Sequence, residues 1–312
     1  MVNTGAGPLD EKTAPSGFVA KLGFLVWGVR YSDILVVSAY PNFGSVLALP
    51  DLTWTSLLRL SAFILVNFFY LAHIFVYNDV CDARINPEEP KLRARHALKR
   101  PELSEREVLG INAALLVASL IGYALISVRL LVLIILIEAI TVAYSQPRIK
   151  LKGIPVISLS IHFLSGFLYV LGGWVVFREF TVAGFFISSF IGMVLVAGHF
   201  FNEIDDFKQD VAVGIRTNAI AFGRIRTFWA GMFGFVGSSG FFVIGSWAWL
   251  SSRAYPGLGI LLLAAWLVQA WRFRHWKSGD PIKKFRSFYR VVYALFTLAF
   301  FFIKLFELLT GP

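Results

Sequence analysis

The sequence predicts an all-α polytopic membrane protein, with about nine transmembrane helices around a central cavity open to the cytoplasmic side. Three observations carry that reading. The 312 residues are 57% hydrophobic with a mean hydropathy of +0.70, leaving too little polar area to cover a soluble surface. Apolar windows of roughly 20 residues, enough to cross a bilayer, recur along the chain. Alternate loops between them are basic, a charge bias that orients membrane helices.

The windows fall at residues 24–49, 55–78, 105–127, 129–146, 155–177, 180–203, 219–250, 256–273 and 286–309. The first is interrupted by Arg30, Asp33 and the Pro41-Asn42 pair, so a kink or an interfacial placement is expected there. Residues 1–16, polar and rich in Gly, Pro and Thr, lack the basic start and apolar core of a signal peptide and read as a disordered cytoplasmic tail. Residues 17–312 read as a single transmembrane domain. The loops after the even-numbered helices carry Arg84, Lys91, Arg93 and Arg95, then Arg148, Lys150 and Lys152, then Lys208, Arg216 and Arg224, then Arg272, Arg274 and Lys277. These loops are expected in the cytoplasm, placing the N-terminus inside and the C-terminus outside the cytoplasmic (inner) membrane. The net charge of +10 is spread over them, which favours topology and anionic ligands over nucleic acid. Cys81 is the single cysteine, so no intrachain disulfide can form.

Two acidic clusters organise the chain. Residues 77–86 read Y-N-D-V-C-D-A-R-I-N and close the second window, and residues 202–210 read N-E-I-D-D-F-K-Q-D and close the sixth. Asn78, Asp82 and Asn86 are spaced to share a helix face, as are Asn202, Asp206 and Asp210, with Asp79 and Glu203 one step round. The matched spacing suggests a duplicated helical unit, with halves around helices 1–4 and 5–8. Carboxylates at membrane depth are costly and usually serve a cavity. Oxygen ligands of this kind suit Mg²⁺ shared with substrate phosphates, so Asp79, Asp82, Glu203, Asp206 and Asp210 are candidate metal ligands. Asn78 and Asn202 could add neutral oxygens or orient the carboxylates, and Arg148, Lys150, Lys152 and Arg216 could grip a diphosphate. The bland alternative is a set of juxtamembrane charges serving topology.

With these motifs in place the chain resembles the UbiA-type intramembrane prenyltransferases typified by 4-hydroxybenzoate polyprenyltransferase. The resemblance rests on Asn78-Asp79-x-x-Asp82 and on Asn202-Glu203-x-x-Asp206-x-x-x-Asp210. It extends to residues 214–217 (Gly-Ile-Arg-Thr) with Gly223, and to the Tyr144-Ser-Gln-Pro-Arg148 element. Asn86 stands where the family has a third acid, Arg148 where Lys is usual, and His96 opens an element ending in Arg100-Pro101 that begins with Arg in the family. The resemblance implies an enzyme that ionises a prenyl diphosphate on Mg²⁺ and transfers the allylic cation to a small or lipid-like acceptor, first of all an aromatic or quinone precursor. Asp79, Asp82, Asp206, Asp210 and Tyr144 would be catalytic. Asn78, Asn202, Arg148, Lys152 and Arg216 would bind the diphosphate.

Other readings stay open. The acceptor could be a non-aromatic lipid or sugar-phosphate hydroxyl, the prenyl chain could cyclise on itself, or the acids could serve a cation-coupled transporter. Transporter sites, however, usually lie at broken helices near the midplane, not beside basic helix ends. Arg30, Asp33, Glu138, His162 and His199 are polar groups inside apolar windows, either structural or cavity-lining. Gly172-Gly173, Gly237 and Gly240 are expected at close helix crossings.

Overall fold

The computed structural model describes residues 29–85, 104–146, 148–149, 151–212, 214–277 and 282–310. The expected tail, the start of the first window and the loop bearing Asn86, His96 and Arg100 lie outside the described residues. The chain is helical throughout its regular structure: α1 Tyr31–Ala48, α2 Trp54–Ile85, α3 Glu105–Ile126, α4 Val128–Ser145, α5 Ile157–Trp174, α6 Val182–Ala212, α7 Asn218–Phe222, α8 Arg224–Trp249, α9 Ala254–Arg272 and α10 Lys283–Thr310. Among the described residues eight helices are long and apolar enough to cross a membrane, and α1 contributes a shorter apolar run, Asp33–Ala48.

Several expectations need correcting. The window at 219–250 is two helices, because Gly223 adopts φ 86°, a left-handed backbone that glycine tolerates and that ends α7 before α8 begins. The sixth window does not end at its apolar boundary. Helix α6 continues for 31 residues to Ala212, so the second acidic motif is wholly helical. Helix α2, at 32 residues, likewise carries the whole of the described first motif. At 1.5 Å per residue both helices reach about 46–48 Å, well beyond a hydrocarbon core of about 30 Å. Both helices are therefore long enough to extend past the hydrocarbon zone.

Two hydrophobic clusters build the core. One joins α2, α3 and α4 through Phe63, Tyr70, Leu71, Tyr123, Ile134 and Ile137. The other joins α6, α8, α9 and α10 through Phe190, Phe201, Phe235, Phe242, Trp266 and Phe300. Helices α1 and α5 contribute side chains to both, so they form the central pair. They cross at glycines. A Cβ on Gly173 would overlap the Pro41 carbonyl oxygen, and one on Gly44 would overlap the Val170 carbonyl oxygen. The packing expectation thus holds at Gly173. It fails at Gly237 and Gly240, where an added Cβ would meet only open space. Large apolar side chains such as Leu125, Ile244, Trp271 and Phe306 stand exposed, as a lipid-facing surface requires.

Candidate active site

The acidic end of α2 is held from two sides. Ser145 at the end of α4 donates its hydroxyl to Asn78 Oδ1 at 2.9 Å, and Asn78 Nδ2 donates to Asp82 Oδ2 at 3.3 Å. The i, i+4 spacing therefore does what it predicted, presenting Asn78 and Asp82 together. Asp79 points elsewhere. It is buried and ion-paired with Arg30 at the start of α1, and that guanidinium also lies 3.9 Å from Asp33 and over the Phe75 ring. The charges flagged in the first window are thus the partners of the first motif. Beyond it, Arg84 donates through Nε to Glu105 at 3.0 Å, docking the end of α2 to α3. Helix α3 starts with a capping box in which Ser104 and Glu107 satisfy each other's backbone N–H groups.

The acidic end of α6 is built differently. Glu203 is 3% exposed and takes no part in an open face. Its Oε1 accepts from Asn218 Nδ2 at 2.8 Å and its Oε2 from the Ala219 backbone N–H at 3.1 Å, so it caps the short helix α7. The same Oε1 lies 3.2 Å from His199 Nε2, one turn back on α6. Asn218 Oδ1 in turn accepts from the N–H of Val156, a β-branched residue held at φ 67° ahead of α5. Asp205, which sequence spacing does not single out, is ion-paired with Arg286 of α10. Asp206 and Asp210 are half-buried. Asn202 Oδ1 is buried with no hydrogen-bond partner among the described residues. An orphaned buried amide oxygen is costly, and it supplies a ligand position beside the two aspartates.

Tyr144 joins the two motifs. Its hydroxyl is hydrogen-bonded with Ser158 of α5, and Asp82, Glu203 and Asp210 all lie within electrostatic range of it. The starts of α1, α5 and α10 and the ends of α2, α4 and α6 therefore meet at one end of the bundle, where Tyr144 also lies. Of the basic residues, Arg148 and Arg216 are exposed at this end and form no ion pair among the described residues. The side chain of Lys152, like Lys150, lies outside the described residues. Glu138 has its own partners deeper in the bundle, His73 Nε2 at 3.1 Å and the Tyr70 hydroxyl at 3.2 Å.

Sequence spacing missed Ser145, Ser158, Asn218 and Arg286. The Ser145 and His199 roles had a signal, since one adjoins Tyr144 and the other precedes Glu203 by one turn. The pairing of Arg30 with Asp79 had none, because only the fold brings them together.

Two acidic helix ends and one tyrosine thus share one end of a polytopic helical bundle. The chain belongs to the UbiA prenyltransferase family, whose model matches residues 38–303, and its eight long apolar helices among the described residues mark a membrane-integral protein. A lycopene elongase/hydratase from Haloferax volcanii is 33% identical over 196 residues, a stretch covering 58% of each protein. The match thus spans little more than half of that relative. A UbiA homologue from Archaeoglobus fulgidus, solved with GPP and Mg²⁺, superposes with a TM-score of 0.68 at 17% identity, covering 93% of this chain and 99% of that one. A structure described for digeranylgeranylglyceryl phosphate synthase superposes with a TM-score of 0.70 at 16% identity, covering 90% and 97%. At these identities the solved structures share the fold.

Proposed function

We propose that this protein transfers the prenyl group of a prenyl diphosphate to an apolar, lipid-embedded acceptor at the α2–α6 acidic end, which faces the cytoplasm. The single observation that carries the reading is that Asp82 on α2 and Asp210 on α6 both lie within electrostatic range of Tyr144, so the two acidic helix ends share one end of the bundle with it. The donor set suits Mg²⁺, because Asp82, Asp206, Asp210 and the orphaned Asn202 Oδ1 are all hard oxygen ligands. Among the described residues no three His, Cys, Asp or Glu side chains form a metal cage. When bound, Mg²⁺ supplies charge neutralisation for the departing diphosphate.

The protein's own residues do the rest. Arg148, Arg216 and Lys152 grip the outer phosphates. Asn78 orients the Asp82 carboxylate through its hydrogen bond. Tyr144 turns its ring toward the allylic carbon, where an aromatic face stabilises a cation by about 0.5–2 kcal/mol. Asp79 and Glu203 hold the two helix ends in place and do not ligate the metal. For the acceptor, a lycopene-like isoprenoid comes first, following the Haloferax relative's name, and the aromatic or quinone precursor implied by the family resemblance comes second.

The test is diphosphate release by purified protein with a series of prenyl diphosphates, in Mg²⁺ or EDTA, with each acceptor class. Release that needs Mg²⁺ and disappears in both Asp82→Ala and Asp206→Ala supports the reading. Release that survives EDTA, or that survives both substitutions, sinks it.

A further inference from the structure

Beside Tyr144 lies a group of side chains that diphosphate binding does not use. The rings of His162 on α5 and His199 on α6 are stacked with centroids 3.6 Å apart and planes 23° apart, and the Tyr144 ring meets His162 edge-on at 5.5 Å. His162 Nδ1 lies 2.8 Å from the Ser158 carbonyl oxygen. A carbonyl can only accept, so Nδ1 carries the hydrogen and Nε2 of the neutral ring holds a free lone pair. No described group is hydrogen-bonded to that Nε2, and the ring is half-buried. His199 has the opposite assignment. Its Nε2 faces the Glu203 carboxylate at 3.2 Å and the Ser158 hydroxyl at 3.1 Å, so Nε2 carries the hydrogen. The Glu203–His199 contact thus fixes one imidazole, and the Ser158 carbonyl fixes the other, with its basic nitrogen left over.

Resting on the prenyl-transfer reading, we infer that His162 Nε2 is the base that takes the proton from the acceptor after carbon–carbon bond formation. The balance is complete. The C–O bond to the diphosphate breaks with both electrons leaving on oxygen, and the acceptor's π electrons form the new bond to the allylic carbon. The C–H electron pair of the acceptor then collapses to quench its positive charge, and the proton passes to Nε2. The groups around the ring are the Ser158 carbonyl on its own helix, His199 and Glu203 on α6, and Tyr144 on α4. His199 is a positioning residue in this scheme. His162 is catalytic.

The experiment measures released diphosphate and prenylated product side by side, with Mg²⁺, a prenyl diphosphate and the acceptor that wild type uses. His162→Asn keeps a donor for the Ser158 carbonyl, and His162→Gln keeps a polar group near the Nε2 position. Neither is basic. Both variants are expected to retain diphosphate release within about threefold while product falls by roughly 10²-fold, the scale of a lost general base, and prenyl alcohol accumulates instead. In His162→Gly, added imidazole should restore product. Diphosphate and product falling together, or product unchanged, overturns the assignment while leaving prenyl transfer standing. A wild type that releases no diphosphate from any prenyl donor overturns both.

Discussion

The acidic ends of α2 and α6 share one spacing and are anchored by opposite means. At α2 the residue after the asparagine, Asp79, is neutralised by a cation from a distant helix, Arg30. At α6 the corresponding Glu203 is held by neutral donors, Asn218 and the Ala219 N–H, with His199 beside it. The asparagines differ in the same sense. Asn78 is engaged on both sides, by Ser145 and Asp82, whereas Asn202 keeps its Oδ1 unpartnered. The comparison teaches that a repeated motif need not repeat its roles. The second position of each motif ties the helix into the bundle, while the acids one turn on are those assigned to the metal in the proposed reading.

The largest expected effect separates those two positions. Asp206→Ala and Asp82→Ala should each lower Mg²⁺-dependent prenyl transfer by at least about 10²-fold while melting temperature stays within a few degrees, as for loss of charge stabilisation at a reacting centre. Initial rates and thermal unfolding of the same preparations check this. A collapse of stability in either variant would erase the distinction.

Next comes the ion pair. Asp79→Leu alone leaves the half-buried Arg30 with only Asp33, 3.9 Å away, and Arg30→Met alone removes the cation paired with the buried Asp79, each at a loss of up to about 3–5 kcal/mol. The double variant Arg30→Met with Asp79→Leu should recover most of that stability and much of the activity. If stability returns but activity stays at zero, Asp79 ligates the metal and the comparison fails at α2.

A smaller effect is expected at α6. Glu203→Gln keeps one carbonyl oxygen for Ala219 but turns an acceptor into a donor facing Asn218, at about 1–3 kcal/mol. Activity should fall far less than in Asp206→Ala, with the loss tracking stability on denaturation. A rate loss equal to that of Asp206→Ala would return Glu203 to the metal site.

An effect of similar size concerns the axle between the halves. Gly173→Ala places a methyl group against the Pro41 carbonyl and should cost about 1–3 kcal/mol as α1 and α5 separate. Gly237→Ala, with open space around it, should be neutral or slightly stabilising in its helix. Equal effects at the two glycines would contradict the α1–α5 crossing.

Membrane class, the number of long apolar runs to within one and the position of both acidic motifs were determined by sequence alone. Each depends on composition or on periodicity within a single helix, where neighbours along the chain are neighbours in space. The i, i+4 pairing of Asn78 with Asp82 is legible for that reason. So are Tyr144 and the family to which the motifs point. Tertiary structure alone decided which acids are spent on anchoring, because that depends on partners far away in the chain. Arg30 meets Asp79, Asn218 reaches Glu203 and Arg286 takes Asp205 only after α1, α7 and α10 have packed. A carboxylate's role follows from what neutralises it, and the chain's local pattern does not encode that partner.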